Sequence, residues 1–317
     1  MTHYALDPEF LPFTDLLPIE SDFSTIESVR EVRLAREQWF PSHPAERDDV
    51  SVSDVSIPGD EDGTTIPLRI YRPVSADGGA RPAVLEIHGG GFMIGSLEMV
   101  DPLCYSTAGT VDAVVVSVDY RLAPEHPYPA GVTDCYRTLN WMTEHATELG
   151  IDTRRVAVAG QSAGAGLAAA TALMARDLNG PELCFQWLEI PELDDRLNSD
   201  SMVEYSDTPV WNRPNAIWSW KHYLAGVEGE EVPAYAAPAR ATDLSGLPPA
   251  YITVMQFDPL RDEGIEYARR LMHAGVHAEL HAYPGTFHGS TLLTEAQVSR
   301  RGMADSMAAV ERALRPR

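Results

Sequence analysis

The sequence predicts an α/β fold, a mostly parallel sheet with helices on both faces, and three observations predict it. Short apolar runs at 83–87, 113–118, 156–159 and 251–255 have the length of strands and read as strands covered on both faces. Stretches with helical periodicity, at about 130–148, 163–178 and 261–273, separate most of them, and strand–helix alternation of this kind builds a parallel sheet by crossover connections. The chain has 317 residues, 44% hydrophobic and 22% charged, an ordinary globular mix with enough apolar surface for a sizeable core.

Residues 1–20 read as irregular and rich in proline. A helix follows over 24–40. Ser24 and Glu27 have the spacing of a capping box, and Ile26, Val29, Val32, Trp39 and Phe40 share one side of the wheel while Leu34 does not. Pro41 and Pro44 end it. Residues 50–57 and 64–72 alternate like two strands around an acidic turn at Asp62-Gly63. That turn lacks the alternating ligands of a calcium loop. In the helix at 261–273, Ile265, Ala268, Leu271 and Met272 mark the buried face, and Gly275 stops it. The strand at 277–282 turns Val276, Ala278 and Leu280 inward. His277, Glu279 and His281 alternate opposite them and read as the polar face of an edge strand rather than as metal ligands. A last helix starts near Thr294, with Gln297 completing a capping box, and buries Met303, Met307, Val310 and Leu314. Two segments stand outside the alternation: the N-terminal helix, and residues 190–226 with Trp211, Trp218 and Trp220. Both are expected to cap the carboxyl edge of the sheet, where open α/β folds bind ligands. The division is therefore a cap segment over 1–48 and a main domain over 49–317, with a cap insertion near 190–226.

The formal net charge of −23 disfavours nucleic acid and anionic membranes as partners. Cys104, Cys135 and Cys184 are odd in number, widely spaced and without a CxxC pair, as in a reduced cytosolic protein. The first residues lack the basic and apolar regions of a signal peptide, and no apolar run approaches 18 residues, so the expected setting is the cytoplasm.

Four pieces carry chemistry. Gly160-Gln161-Ser162-Ala163-Gly164 follows one apolar run and opens a helical stretch, the strand–turn–helix setting of a nucleophile elbow. The elbow holds its serine in a strained conformation, and side chains two residues to either side would collide with the neighbouring strand and helix. His88-Gly89-Gly90-Gly91 directly follows another run. Consecutive glycines can turn backbone N–H groups toward an oxyanion, and neither nucleotide-binding spacing fits this loop. Gly90, Gly91 and Ala163 are the expected donors. Asp258 and His288 then come in the order Ser, Asp, His, each just past a strand, so that both reach the edge where Ser162 sits. Asp262 and Glu263 are rival acids that better suit the first turn of the next helix. Phe92, Met93 and Trp211 are candidates for lining the substrate site.

Together these motifs resemble the bacterial hormone-sensitive-lipase-type carboxylesterases. HGGGF at 88–92, the segment DYRLAPEHPYPA at 119–130 and the elbow with its Asp and His segments carry the likeness, over roughly 50–317. The stretches 191–196, 213–220 and 284–289 look nearest to the heroin-esterase branch. The resemblance implies an α/β-hydrolase fold with a mostly parallel eight-stranded sheet and a helical cap. It also implies hydrolysis of small, short-acyl esters without a cofactor or metal, and dimerisation through the edge strand near 277–282. One departure is Gln161, where most of the family has Asp. An amidase or peptidase-like hydrolase with the same triad is the main alternative. A non-catalytic small-molecule receptor needs the triad broken, and a true lipase needs a larger apolar cap.

Overall fold

The computed structural model describes residues 4–17, 21–37, 47–61, 63–74, 79–227 and 231–315. In chain order the elements are α1 (Ile26–Glu37), β1 (Val50–Pro58), β2 (Thr65–Pro73), β3 (Arg81–Ile87), α2 (Leu97–Val111), β4 (Val114–Val118), α3 (Ala130–Glu144), α4 (Ala146–Leu149) and β5 (Ile151–Gln161). There follow α5 (Ala163–Asp177), β6 (Phe185–Glu189), α6 (Asp200–Glu204), α7 (Arg213–Tyr223), β7 (Ala250–Phe257), α8 (Arg261–His273), β8 (Ala278–Phe287) and α9 (Gln297–Leu314). The strands form one eight-stranded sheet in the order β1-β2-β4-β3-β5-β6-β7-β8. β1, β2 and β4 pair antiparallel, and from β4 to β8 every pairing is parallel. This is the α/β-hydrolase fold that the motifs implied.

The period-2 geometry of the strands sorts their side chains between two cores. Leu85, Val116 and Val158 meet α3, α5 and α8 on one face. Val84, Val115 and Ala157 meet α2 and α9 on the other. Both faces are covered, which is why the central strands read as apolar runs rather than as alternating ones.

Several local expectations shift. The cap of α1 is one residue later than Ser24: Thr25 and Ser28 exchange hydrogen bonds, with the Ser28 N–H donating to Thr25 Oγ1 at 3.1 Å and the Thr25 N–H to Ser28 Oγ at 3.0 Å. Val29 is buried and Leu34 exposed, as the wheel requires, but Ile26 is largely exposed. Trp39, Phe40, Pro41, Pro44 and Asp62 lie outside the described residues. On α8, Gly264, Tyr267, Ala268 and Leu271 face the core, while Ile265 and Met272 are exposed. α9 begins at Gln297 behind Ala296, which has no side chain to cap it, so the Thr294 box does not form. Val310 and Leu314 are buried as expected, Met307 partly so, and Met303 is exposed.

Residues 21–37 and α7 meet over the loop 88–95. Phe23, Val29, Met93, Ile94, Met202, Trp211 and Ala216 form one apolar cluster. His222 of α7 bonds through Nε2 to the Phe23 carbonyl at 2.7 Å. Arg33 donates from Nε to the Met93 carbonyl at 2.6 Å and from Nη2 to the Ala123 carbonyl at 2.8 Å. Among the described residues no helix is long and apolar enough to cross a membrane.

Candidate active site

β5 ends at Gln161 and α5 begins at Ala163, so Ser162 alone makes the turn between them, at φ 56° and ψ −123°. This left-handed value is costly for a residue with a side chain, and the neighbours that enforce it are visible. The Ser162 N–H donates to the Glu189 carbonyl at 2.8 Å, and its carbonyl accepts from Gly166 and Glu192, each at 3.1 Å. The flanking glycines leave no room for anything larger. A Cβ on Gly160 would lie 2.4 Å from the Gly164 backbone, and one on Gly164 would lie 2.1 Å from the Ile87 carbonyl oxygen. These are the helix and the strand that the elbow's glycines were expected to clear.

β7 and β8 deliver the other two groups. Asp258 directly follows Phe257 and His288 directly follows Phe287. The Ser162 hydroxyl lies 3.0 Å from His288 Nε2, and His288 Nδ1 lies 2.8 Å from Asp258 Oδ2. The second Asp258 oxygen accepts the Leu260 N–H at 2.9 Å, which fixes the carboxylate plane. All three residues are at most 6% exposed. With Nδ1 held by the carboxylate, Nε2 presents its lone pair to the serine proton. The rival acids are engaged elsewhere. Asp262 accepts from the Ser201 N–H and pairs with Arg261, while Glu263 accepts from the Leu193 N–H at 2.6 Å.

The expected oxyanion donors lie on two segments. Gly90 (φ 118°) and Gly91 (φ 57°) turn the loop after β3 back toward Ser162, and Ala163 opens α5. Among the described residues no hydrogen bond uses the N–H of Gly90, Gly91 or Ala163. His88 is not part of the chemistry. Burial pushes its imidazole down to about 4, its Nδ1 lies 2.8 Å from the Gly89 carbonyl, and its ring stacks on Tyr120 at 4.3 Å. The segment 119–130 braces this loop. The Tyr120 hydroxyl donates to the His88 carbonyl, the Ala123 N–H donates to the Phe92 carbonyl, and Arg121 grips Asp134 with two nitrogens.

Of the three candidates for lining the site, Trp211 is brought to it. Its ring edge lies against Gly91, and its centroid is 6.0 Å from that of His288. Phe92 stacks on Tyr223 at 4.0 Å within the core, and Met93 packs in the cluster under residues 21–37. Gln161 donates to Glu189 Oε2 at 3.2 Å, and the same carboxyl accepts from Trp187 and Ser306. Burial raises the Glu189 carboxyl, and burial with Glu189 nearby raises Glu86 further. An amide at 161 therefore supplies a donor where an aspartate would add a third acid. The buried Glu192 and Ser219 beside Gly91 were not singled out from sequence. The only cue was an acidic residue inside the stretch 191–196. No group of three metal-ligating side chains is found among the described residues.

A family model described as the alpha/beta hydrolase fold matches residues 84–292. This chain belongs to that family. It is 42% identical over 290 residues to esterase LipI of Mycobacterium tuberculosis, across 90% of this chain and 88% of that protein. It is 36% identical over 241 residues to the ethyl acetate hydrolase of Pseudomonas putida, across 75% and 74% of the two chains. Among solved structures, a bacterial heroin esterase superposes with a TM-score of 0.93 at 48% identity, covering 98% of this chain and 99% of that one. The protein is a carboxylic ester hydrolase of the hormone-sensitive-lipase type, as the motifs at 88–92, 119–130 and 160–164 suggested.

Proposed function

We propose that this enzyme hydrolyses small, short-acyl carboxylic esters through an acyl-enzyme on Ser162. The Ser162 hydroxyl attacks the ester carbonyl while His288 Nε2 takes its proton, and Asp258 holds the imidazole in the required tautomer. The carbonyl oxygen gathers negative charge among the N–H groups of Gly90, Gly91 and Ala163. His288 then returns the proton to the leaving alcohol, and a water activated by the same imidazole releases the acid. No cofactor takes part. The observation that carries the reading is the unbroken chain from Ser162 Oγ to His288 at 3.0 Å and on to Asp258 at 2.8 Å.

The preference for a short acyl group is supported by Trp211, a bulky ring that packs against Gly91 with its centroid 6.0 Å from that of His288. A relative named for ethyl acetate points the same way. In this reading residues 21–37 and 190–226 act together as the cap, and β8, at one end of the sheet order, is the strand through which a second copy docks. Cys104 and Cys135 are buried thiols, which suits a reducing cytoplasm. The test is a fluorophosphonate probe followed by peptide mass analysis. The expected result is one adduct, on Ser162, lost in Ser162→Ala. Ester turnover with no adduct at Ser162 overturns the mechanism.

A further inference from the structure

The oxyanion donors sit on two separate pieces of chain, so something has to hold those pieces in register. Ala163 belongs to the elbow, and Gly90 and Gly91 belong to the loop after β3. The two pieces pack directly where Gly89 meets the Gln161 carbonyl and Gly164 meets the His88 backbone, and Glu192 links them a second time through Ser219. The backbone N–H of Glu192 donates to the Ser162 carbonyl at 3.1 Å, which grips the elbow. Its side chain reaches the other way: Oε1 lies 3.0 Å from the Ser219 hydroxyl, and that hydroxyl lies 2.9 Å from the Gly91 carbonyl. Glu192 and Ser219 are both fully buried, and among the described residues Glu192 Oε2 has no hydrogen-bond partner.

Counting protons decides the state of this chain of contacts. A hydroxyl has one proton to give. If Glu192 is a carboxylate, Ser219 is flanked by two acceptors and satisfies only one of them. The charged oxygen is the stronger acceptor, so the Gly91 carbonyl is left bare in a dry interior. If Glu192 carries a proton, every contact closes: Glu192 donates to Ser219, and Ser219 donates to Gly91. The titratable groups that face Glu192 are Asp258 behind β7, Glu263 on α8 and the Tyr120 phenol after β4. None of them is a cation, and among the described residues no lysine, arginine or histidine pairs with Glu192. Burial, with Asp258 nearby, pushes its carboxyl up to about 8.

We infer that Glu192, in its neutral form, is a positioning residue that registers the oxyanion loop to the elbow by donating through Ser219 to the Gly91 carbonyl. The inference rests on the oxyanion role proposed above for Gly90, Gly91 and Ala163. Glu192 does not touch the reacting atoms. It acts on kcat by keeping the Gly91 peptide where its N–H meets the developing charge, and ionisation breaks the relay without unfolding the site.

The test is the pH profile of kcat on p-nitrophenyl acetate from pH 6 to 10, for the wild type, Glu192→Gln, Glu192→Leu and Ser219→Ala. Thermal melts confirm that each variant is folded at the assay temperature. In the wild type kcat is expected to fall at least fivefold with a midpoint near pH 8, at little change in KM. Glu192→Gln carries a neutral donor at every pH. It is expected to stay within about threefold of wild type at pH 7 and to lose the alkaline fall. Glu192→Leu and Ser219→Ala are expected to drop kcat about tenfold at pH 7 and to show no fall near pH 8. An alkaline fall in Glu192→Gln that matches the wild type overturns the inference, and so does an unchanged kcat in folded Ser219→Ala. A merely structural role lowers the melting temperature and leaves the shape of the profile alone. Fluorophosphonate labelling of the wild type separates the two levels. Labelling at Ser162 with an unmoved profile sinks only the Glu192 relay, whereas absent labelling sinks the catalytic reading beneath it.

Discussion

Gly91→Ala isolates the oxyanion loop more sharply than any triad substitution. A Cβ at this position meets Trp211 Cη2 at 2.3 Å and two further ring carbons at 3.1 Å. Carbon atoms rest comfortably at ~3.5–4 Å, so either the indole or the Gly91 backbone has to move by more than about 1 Å. Trp211 is 3% exposed and wedged between Phe23 and His288, with ring centroids 6.3 and 6.0 Å away, so it yields poorly. The backbone also sits at φ 57°, where a residue with a Cβ costs ~1–2 kcal/mol more than glycine. Both strains push the Gly91 N–H away from the oxyanion. Loss of one such donor typically costs ~10²–10³ in kcat. The assay is kcat and KM on p-nitrophenyl acetate for Gly91→Ala, Trp211→Ala and the double variant. The single Gly91→Ala is expected to lose at least ~100-fold in kcat. Removing the indole relieves the clash but not the backbone strain, so the double variant is expected to recover at least ~5-fold over Gly91→Ala. A kcat for Gly91→Ala within threefold of wild type refutes the oxyanion assignment. Strict additivity in the cycle refutes the part given to Trp211.

Asp258→Asn preserves shape but cannot hold His288 in the tautomer that accepts the serine proton, and kcat is expected to fall by ~10⁴ with an unchanged melting temperature. Gln161→Asp replaces a donor to Glu189 with a further acid. A buried acid is raised above its usual range, so it is neutral at low pH and forced to ionise as pH rises. Melting is therefore expected to drop by the equivalent of ~1–3 kcal/mol at pH 8 and by less at pH 5, read by scanning calorimetry at both pH values. Arg33→Ala removes the bonds from α1 to the carbonyls of Met93 and Ala123. If residues 21–37 serve as cap, KM on p-nitrophenyl butyrate is expected to rise several-fold, with a smaller change in kcat, in steady-state kinetics.

The parts legible in the sequence were those with a local signature. The elbow glycines are demanded by contacts at 2.1–2.4 Å, and such a demand leaves a fixed pattern in the chain. Asp258 and His288 were legible through order, because parallel strands carry their following loops to one edge. β6 and α2 gave no clear signal. Gln186 and Glu189 interrupt the apolar run of β6; Gln186 is buried through a bond to a proline carbonyl, and Glu189 is half-buried with bonds to Trp187, Ser306 and Gln161. α2 carries Pro102 inside it. Burial on α8 and α9 departed from the wheel because neighbours decide which side of a stripe is covered: Tyr267 is buried while Ile265, Met272 and Met303 stay in solvent. Glu192 and Ser219 are 27 residues apart and meet only because α7 returns over the loop after β3, a relation that no periodicity encodes.

The central claim is that Ser162 turns over short-acyl esters. Initial rates on a p-nitrophenyl ester series from acetate to dodecanoate, with Ser162→Ala as control, test it most directly. The expected profile peaks between acetate and butyrate, falls away with chain length and vanishes in the folded Ser162→Ala protein. Turnover that survives in Ser162→Ala, or a wild-type profile that peaks at the long acyl chains, contradicts it.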